Sequence, residues 1–153
     1  MTADIVTFAK GLGNGFPIGA CVATGAAATL LGPGSHGTTF GGNPVAAAAG
    51  LAVLGIIERD NLLDHVRTTG DRVAAEIMAL NHPGIDHVRG RGLLRGIVLT
   101  EPKGPAVVQS ALDAGFVINA PRPTVIRLAP PLIITDAQLD EFVAALPSIL
   151  EAR

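Results

Sequence analysis

The 153 residues are 48% hydrophobic, carry a formal charge of −2 and contain neither Trp nor Tyr. That balance describes a globular chain of roughly one domain, and a near-neutral charge with no basic run argues against nucleic-acid binding through phosphate neutralisation. No apolar stretch reaches the roughly 18 residues that a spanning helix needs, and the N-terminus lacks a signal-type basic and apolar pair of segments.

The first third of the chain reads strand, loop, strand, loop. Residues 4–8 are an apolar β-type run, and Phe16-Pro-Ile-Gly-Ala-Cys-Val-Ala23 is a second, interrupted by glycine. The single cysteine, Cys21, lies in that run; it has no partner for an internal disulfide and reads as a small buried hydrophobe in a reducing compartment. Residues 26–31 predict a short helical turn, ended by Gly32-Pro-Gly34. Asn43-Pro44 then opens a helix, because asparagine suits the N-cap and proline at the first helical position sacrifices no hydrogen bond. An alanine-rich run continues it to about Glu58. A second helical period covers Asn61 to Ala79 and ends near Asn81-His-Pro83-Gly84.

Beyond Gly84 the pattern changes. Residues 85–89 and 93–100 predict two strands around Gly90-Arg-Gly92, and a helix is expected over 104–114 with Gly115 as its C-terminal cap. Phe116-Val-Ile-Asn119 and Val125-Ile-Arg-Leu128 predict short strands separated by Pro121-Arg-Pro123. Asp136 is the expected N-cap of a closing helix through residue 152, with Leu139, Phe142, Val143, Leu146 and Ile149 on one face. The organisation is therefore α/β over residues 1–58, followed by a compact α+β domain over 59–153.

Lys10 is the residue with the strongest claim to chemistry. It ends an apolar run and begins Lys10-Gly-Leu-Gly-Asn-Gly15, and the only other lysine is Lys103. A lysine amine becomes a nucleophile when desolvation favours its neutral form, and glycines beside it let the backbone pass close to a bulky ligand. The pattern points to a Schiff-base lysine holding an aldehyde cofactor; a solvated lysine capping a strand is the alternative. Thr38 and Thr39 are hydroxyl donors in a glycine-bounded loop ahead of a helix start, which suits a phosphate, or else they cap Gly41-Gly42 and the helix. Strand alternation points Arg127 away from Ile126 and Leu128, so its guanidinium either grips a carboxylate or lies on a surface strand edge. Arg89, Arg91 and Arg95 read as structural salt-bridge partners. His36 reads as a loop-packing residue, and His65, His82 and His87 as solvated surface without metal-ligand spacing. Gly11-Leu-Gly13-Asn-Gly15 lacks the third spaced glycine of a dinucleotide loop.

Lys10 with its glycines, the block Ser35-His-Gly-Thr-Thr-Phe-Gly-Gly-Asn-Pro44 and the run Val125-Ile-Arg-Leu-Ala-Pro-Pro-Leu-Ile-Ile-Thr135 occur in one order. Together they resemble the class III (subgroup II) aminotransferases, within which the acetylornithine and ornithine enzymes are most similar. The resemblance implies the end of the large pyridoxal-phosphate-binding domain of a fold-type I aminotransferase, then the α+β small C-terminal domain. It implies pyridoxal 5′-phosphate as cofactor, Lys10 as its covalent anchor and proton carrier, and Arg127 as the α-carboxylate residue. Thr39, with Thr38 beside it, would contact the cofactor phosphate of a neighbouring subunit, so a cytoplasmic homodimer with shared active sites is expected. The implied reaction moves an amino group from N-acetylornithine, or a related ω-amino acid, to 2-oxoglutarate in arginine biosynthesis.

The resemblance also implies an aspartate at the pyridinium nitrogen, an aromatic stacked on the ring and a Gly/Ser/Thr phosphate loop, all preceding Asp4. These are not found, so the sequence is read as the C-terminal part of such an enzyme. By itself it is expected to be poorly soluble or partly molten, with unpaired strand edges, and inactive as a transaminase. The alternative is a non-catalytic remnant or interaction module that keeps the small-domain fold and dimer surface.

Overall fold

The computed structural model describes residues 2–151, which form two compact units that part between Asp60 and Asn61.

In the first unit, β1 (Ile5–Phe8) pairs antiparallel with β2 (Ala20–Ala23), Thr7 lying opposite Cys21. The second strand is shorter than the apolar run 16–23, because Pro17 and Gly19 keep its first half out of the ladder. Between the strands, Lys10–Gly13 make a 3₁₀ turn; Gly13 is buried there, and a Cβ on it would press on Ile18 and Phe16. A second 3₁₀ turn covers Gly25–Thr29. Helix α1 (Pro44–Arg59) packs against the Lys10–Gly13 turn, where Ala46 and Gly50 are buried. Its N-terminus forms as the residues dictate: the Asn43 side chain accepts from Ala46 N at 3.0 Å, and Pro44 follows. Cys21 is exposed, contrary to its reading as a buried thiol, since a two-stranded ribbon has no second layer to cover it.

The second unit is a four-stranded antiparallel sheet, ordered β3-β4-β6-β5, with three helices over one face. The strands are β3 (Ile85–Arg91), β4 (Leu94–Leu99), β5 (Asn119–Arg122) and β6 (Val125–Leu128). The helices are α2 (Leu62–Ala79), α3 (Gly104–Asp113) and α4 (Asp136–Leu150). Ile97 and Leu99 of β4, and Ile126 and Leu128 of β6, meet Val73 and Ile77 of α2, Val107 and Ala111 of α3, and Leu139, Phe142, Leu146 and Ile149 of α4. The face expected on the closing helix is thus the one that packs.

Strand β3 runs two residues past the expected 85–89, to Arg91, and two further boundaries differ from the sequence reading. Residues 116–118 are not strand; β5 begins at Asn119 and runs through Pro121 to a two-residue turn at Pro123-Thr124. Proline is tolerated there because β5 is an edge strand with one unpaired side. The closing helix is capped by Thr135 rather than Asp136. Thr135 Oγ1 accepts from Gln138 N at 3.3 Å, and the Gln138 side chain accepts from Thr135 N at 3.0 Å. The expected extension of that helix to residue 152 falls outside the described residues.

Arg72 ties α2 to α4. Its guanidinium meets Glu76 at 2.7 Å, Asp140 at 2.6 Å and Asp136 at 3.0 Å, while its Nε is buried with no partner among the described residues. The Asp140 hydrogen bond first, then that of Glu76, raises its pKa above the ordinary arginine value. Asp136 and Asp140 are largely solvated and Glu76 is partly so, and Arg72→Met is therefore expected to cost only about 1 kcal/mol in urea unfolding. The loss should shrink in concentrated salt, which screens the three acids left facing one another. A midpoint indifferent to the substitution would show that the helices need no ionic tie.

Candidate functional site

Lys10 stands where β1 ends, and its backbone is left-handed, with φ +48°. The other non-glycine residues in that region among the described ones are Asn14, Asn61 and Asn81, whose short polar side chains tolerate it. A long side chain there costs about 1–2 kcal/mol, and strain of this kind concentrates at functional positions. The residue is exposed, and among the described residues its amine makes neither an ion pair nor a hydrogen bond. Lys103 contrasts with it: its Nζ lies 2.8 Å from Glu101 Oε2.

Thr38 and Thr39 are exposed on the segment between Gly34 and Asn43. The Thr38 methyl group covers Gly41 so closely that a Cβ on that glycine would run into it. Neither hydroxyl bonds to another described residue. The alternative in which the threonines cap the helix is not what forms, because Asn43 caps α1 with its own side chain. Their hydroxyls are left as available donors, which fits a phosphate ligand. This unit thus presents an amine on a left-handed backbone and two hydroxyls, all exposed and without a partner among the described residues.

In the second unit, Arg127 is the one exposed position of β6, between buried Ile126 and Leu128. It pairs across the sheet with Asn119 of β5 and Gly96 of β4. The Asn119 register has a direct consequence: Arg127 Nε donates to Asn119 Oδ1 at 3.1 Å, fixing the guanidinium and leaving its two terminal nitrogens for a ligand. Beside Arg127 is a cavity of about 450 Å³, whose walls include Phe116, Ile118, Pro130, Ile134 and Phe142. One guanidinium above an apolar cavity suits a carboxylate carried on an aliphatic chain.

The other basic residues divide. Arg95 is buried and clamps the β3–β4 turn: Nε donates to Gly92 O at 2.7 Å, Nη1 to Gly90 O at 3.2 Å, and Nη2 meets Asp71. Arg89 and Arg91 form no ion pair among the described residues, so the structural reading holds for Arg95 alone. His36 is exposed rather than packed into its loop. His65 is half-buried and bonded to Ile134 O, not solvated surface. His82, also half-buried, accepts from Gly84 N at 3.0 Å, whereas His87 is exposed beside Asp86. Among the described residues no three His, Cys, Asp or Glu side chains cluster as metal ligands, and no helix is long and apolar enough to cross a membrane.

Comparison with known proteins bears on both units. The family model described as Aminotransferase class-III matches residues 1–150. The acetylornithine aminotransferase of Mycobacterium tuberculosis is 60% identical over 151 residues, covering 99% of this chain and 38% of that protein. The Streptomyces coelicolor acetylornithine aminotransferase is 57% identical over 148 residues, with 97% and 37% covered. The chain therefore spans well under half the length of these curated relatives. Among solved structures, the acetylornithine aminotransferase of Elizabethkingia anophelis superposes with a TM-score of 0.88 at 30% identity, covering 98% of this chain and 41% of that one. Plasmodium falciparum ornithine delta-aminotransferase does so with a TM-score of 0.87 at 27% identity, covering 99% and 40%. Matched by its model from residue 1 to residue 150, the chain belongs to the class-III aminotransferase family.

Proposed function

We propose that these residues serve a pyridoxal-phosphate-dependent transamination in arginine biosynthesis. The amino donor is N-acetylornithine or a related ω-amino acid, and the acceptor is 2-oxoglutarate. The observation that carries this reading is Lys10: a long side chain held in a left-handed conformation with its amine uncommitted. Pyridoxal phosphate, when bound, supplies a carbonyl that captures amines and a ring that withdraws electrons from the substrate carbon bearing the captured amine.

The chain's own groups do the rest. Lys10 Nζ is the nucleophile that would anchor the cofactor; once released, it takes the proton from the donor carbon that bears the reacting ω-amine, as a general base. Thr38 Oγ1 and Thr39 Oγ1 donate to phosphate oxygens, in the reading where Thr39 serves a neighbouring subunit of a cytoplasmic homodimer. Arg127 holds the substrate carboxylate through the nitrogens that Asn119 leaves free. The acetylornithine aminotransferases among the relatives support this choice of donor. Phe8, Phe16, Leu30, Leu31 and Phe40 are exposed in the first unit, and the relatives are much longer. Both observations support the expectation that the 153 residues assayed alone do not turn over substrate.

The test is borohydride reduction of the chain with pyridoxal phosphate, followed by peptide mapping. Lys10 is expected to take the label in strong preference to Lys103, whose ion pair with Glu101 makes it an internal control. A second reading, a non-catalytic module, draws on the self-contained core of the second unit. It predicts equal labelling of the two lysines or none, and either result overturns the cofactor-site reading for this chain.

A further inference from the structure

The segment that follows Arg127 crosses from β6 to α4 and supplies Ala129, Pro130, Pro131 and Ile134 to the wall of the cavity. It holds itself weakly. Ile134 N donates to Pro131 O at 3.0 Å, and the two prolines have no N–H to offer. Its tie to a remote element is His65, in the first turn of α2, whose Nε2 lies 2.9 Å from Ile134 O. A carbonyl only accepts, so Nε2 carries the proton. The other ring nitrogen, Nδ1, faces Thr69 Oγ1 at 3.3 Å, one helical turn along α2. Thr69 is buried, and its hydroxyl lies 3.5 Å from Asp136 Oδ1 at the start of α4. The imidazole is thus engaged on both sides, between the helix it belongs to and the chain that walls the cavity.

We infer that His65 is a positioning residue for the carboxylate site: it fixes the 129–135 segment, and through it the shape of the cavity beside Arg127. This rests on the reading of Arg127 as a carboxylate-binding residue. His65 itself does not line the cavity. It acts only through the carbonyl of Ile134.

Hydrogen exchange followed by mass spectrometry on the whole chain tests this, comparing the parent with His65→Ala, His65→Gln and Arg127→Gln, each with and without 2-oxoglutarate. Loss of one hydrogen bond should speed exchange in peptides covering 129–139 about tenfold in His65→Ala, leaving β4 unchanged. The protection that 2-oxoglutarate confers on the same peptides should weaken in parallel. His65→Gln, whose amide can still donate to the carbonyl, should recover both. Exchange that rises equally across the second unit, or does not rise, or is not rescued by His65→Gln, overturns the role of His65. If 2-oxoglutarate protects the parent chain and Arg127→Gln equally, or protects neither, the reading of Arg127 fails. If the protection survives unchanged in His65→Ala while Arg127→Gln abolishes it, the positioning role alone fails.

Discussion

Replacing Gly70 with alanine is expected to destabilise the second unit by about 2–3 kcal/mol, although alanine is the better helix former by about 1 kcal/mol. Gly70 lies on the side of α2 that meets the β3–β4 turn, and a Cβ there would run into the carbonyl oxygen of Gly92. Neither partner can retreat. Arg95 holds that oxygen at 2.7 Å, and Gly92, at φ +54°, lies against Val66 with no room for a side chain, since Val66 Cγ1 would stand 2.6 Å from a Cβ built there. Steric conflict with a pinned backbone therefore outweighs the gain in helix propensity. Urea unfolding followed by circular dichroism is the measurement, since the chain has neither Trp nor Tyr to report by fluorescence. A midpoint equal to or above the parent's would mean that α2 and the turn are not packed backbone to backbone.

The largest loss is expected from Phe142→Ala, about 3–5 kcal/mol. Phe142 is 6% exposed in the core cluster, and its ring meets that of Phe116 edge to face, with centroids 5.4 Å apart. Truncation removes the transfer energy of a ring, opens a void among side chains that interdigitate, and forfeits the aromatic pair. Because Phe142 also lines the cavity beside Arg127, the void joins that cavity. Phe142→Leu separates the two consequences, keeping most of the volume and losing the ring pair at about 1–2 kcal/mol. Calorimetric or urea unfolding of the pair decides the matter. An alanine variant within about 1 kcal/mol of the parent would show that this part of the core collapses to fill the space.

Much of the fold was legible wherever one local rule governs the outcome. Asn43-Pro44 starts α1 because cap and first-turn chemistry need no distant partner. The outward Arg127 follows from strand alternation, and the apolar stripe of α4 from the 3.6-residue period. Thr135 is legible too: Thr135-Asp-Ala-Gln138 is a capping box, whose reciprocal pair of hydrogen bonds outweighs the single carboxylate of Asp136 as a cap.

What stayed hidden depends on neighbours far apart in sequence. Pro121 looked like a strand breaker, yet it is tolerated in β5 because the sheet order leaves that strand at an edge. Cys21 is apolar in context but exposed in a ribbon without a covering layer. Arg95, Arg89 and Arg91 are indistinguishable as letters; only the close approach of α2 to the β3–β4 turn buries the first, while the others form no ion pair among the described residues.

The same division runs through the candidate site. Residue type, spacing and motif order by themselves determined which side chains are candidates for chemistry: an isolated lysine before glycines, paired threonines before a helix, an arginine facing out of a strand. Those are properties of short stretches, set by intrinsic conformational preference and side-chain chemistry. Tertiary structure alone decided how they are held. The left-handed backbone of Lys10, the Asn119 bond that aims Arg127 and the His65 tie to Ile134 each arise from packing or pairing beyond the local motif, where competing contacts override local propensity.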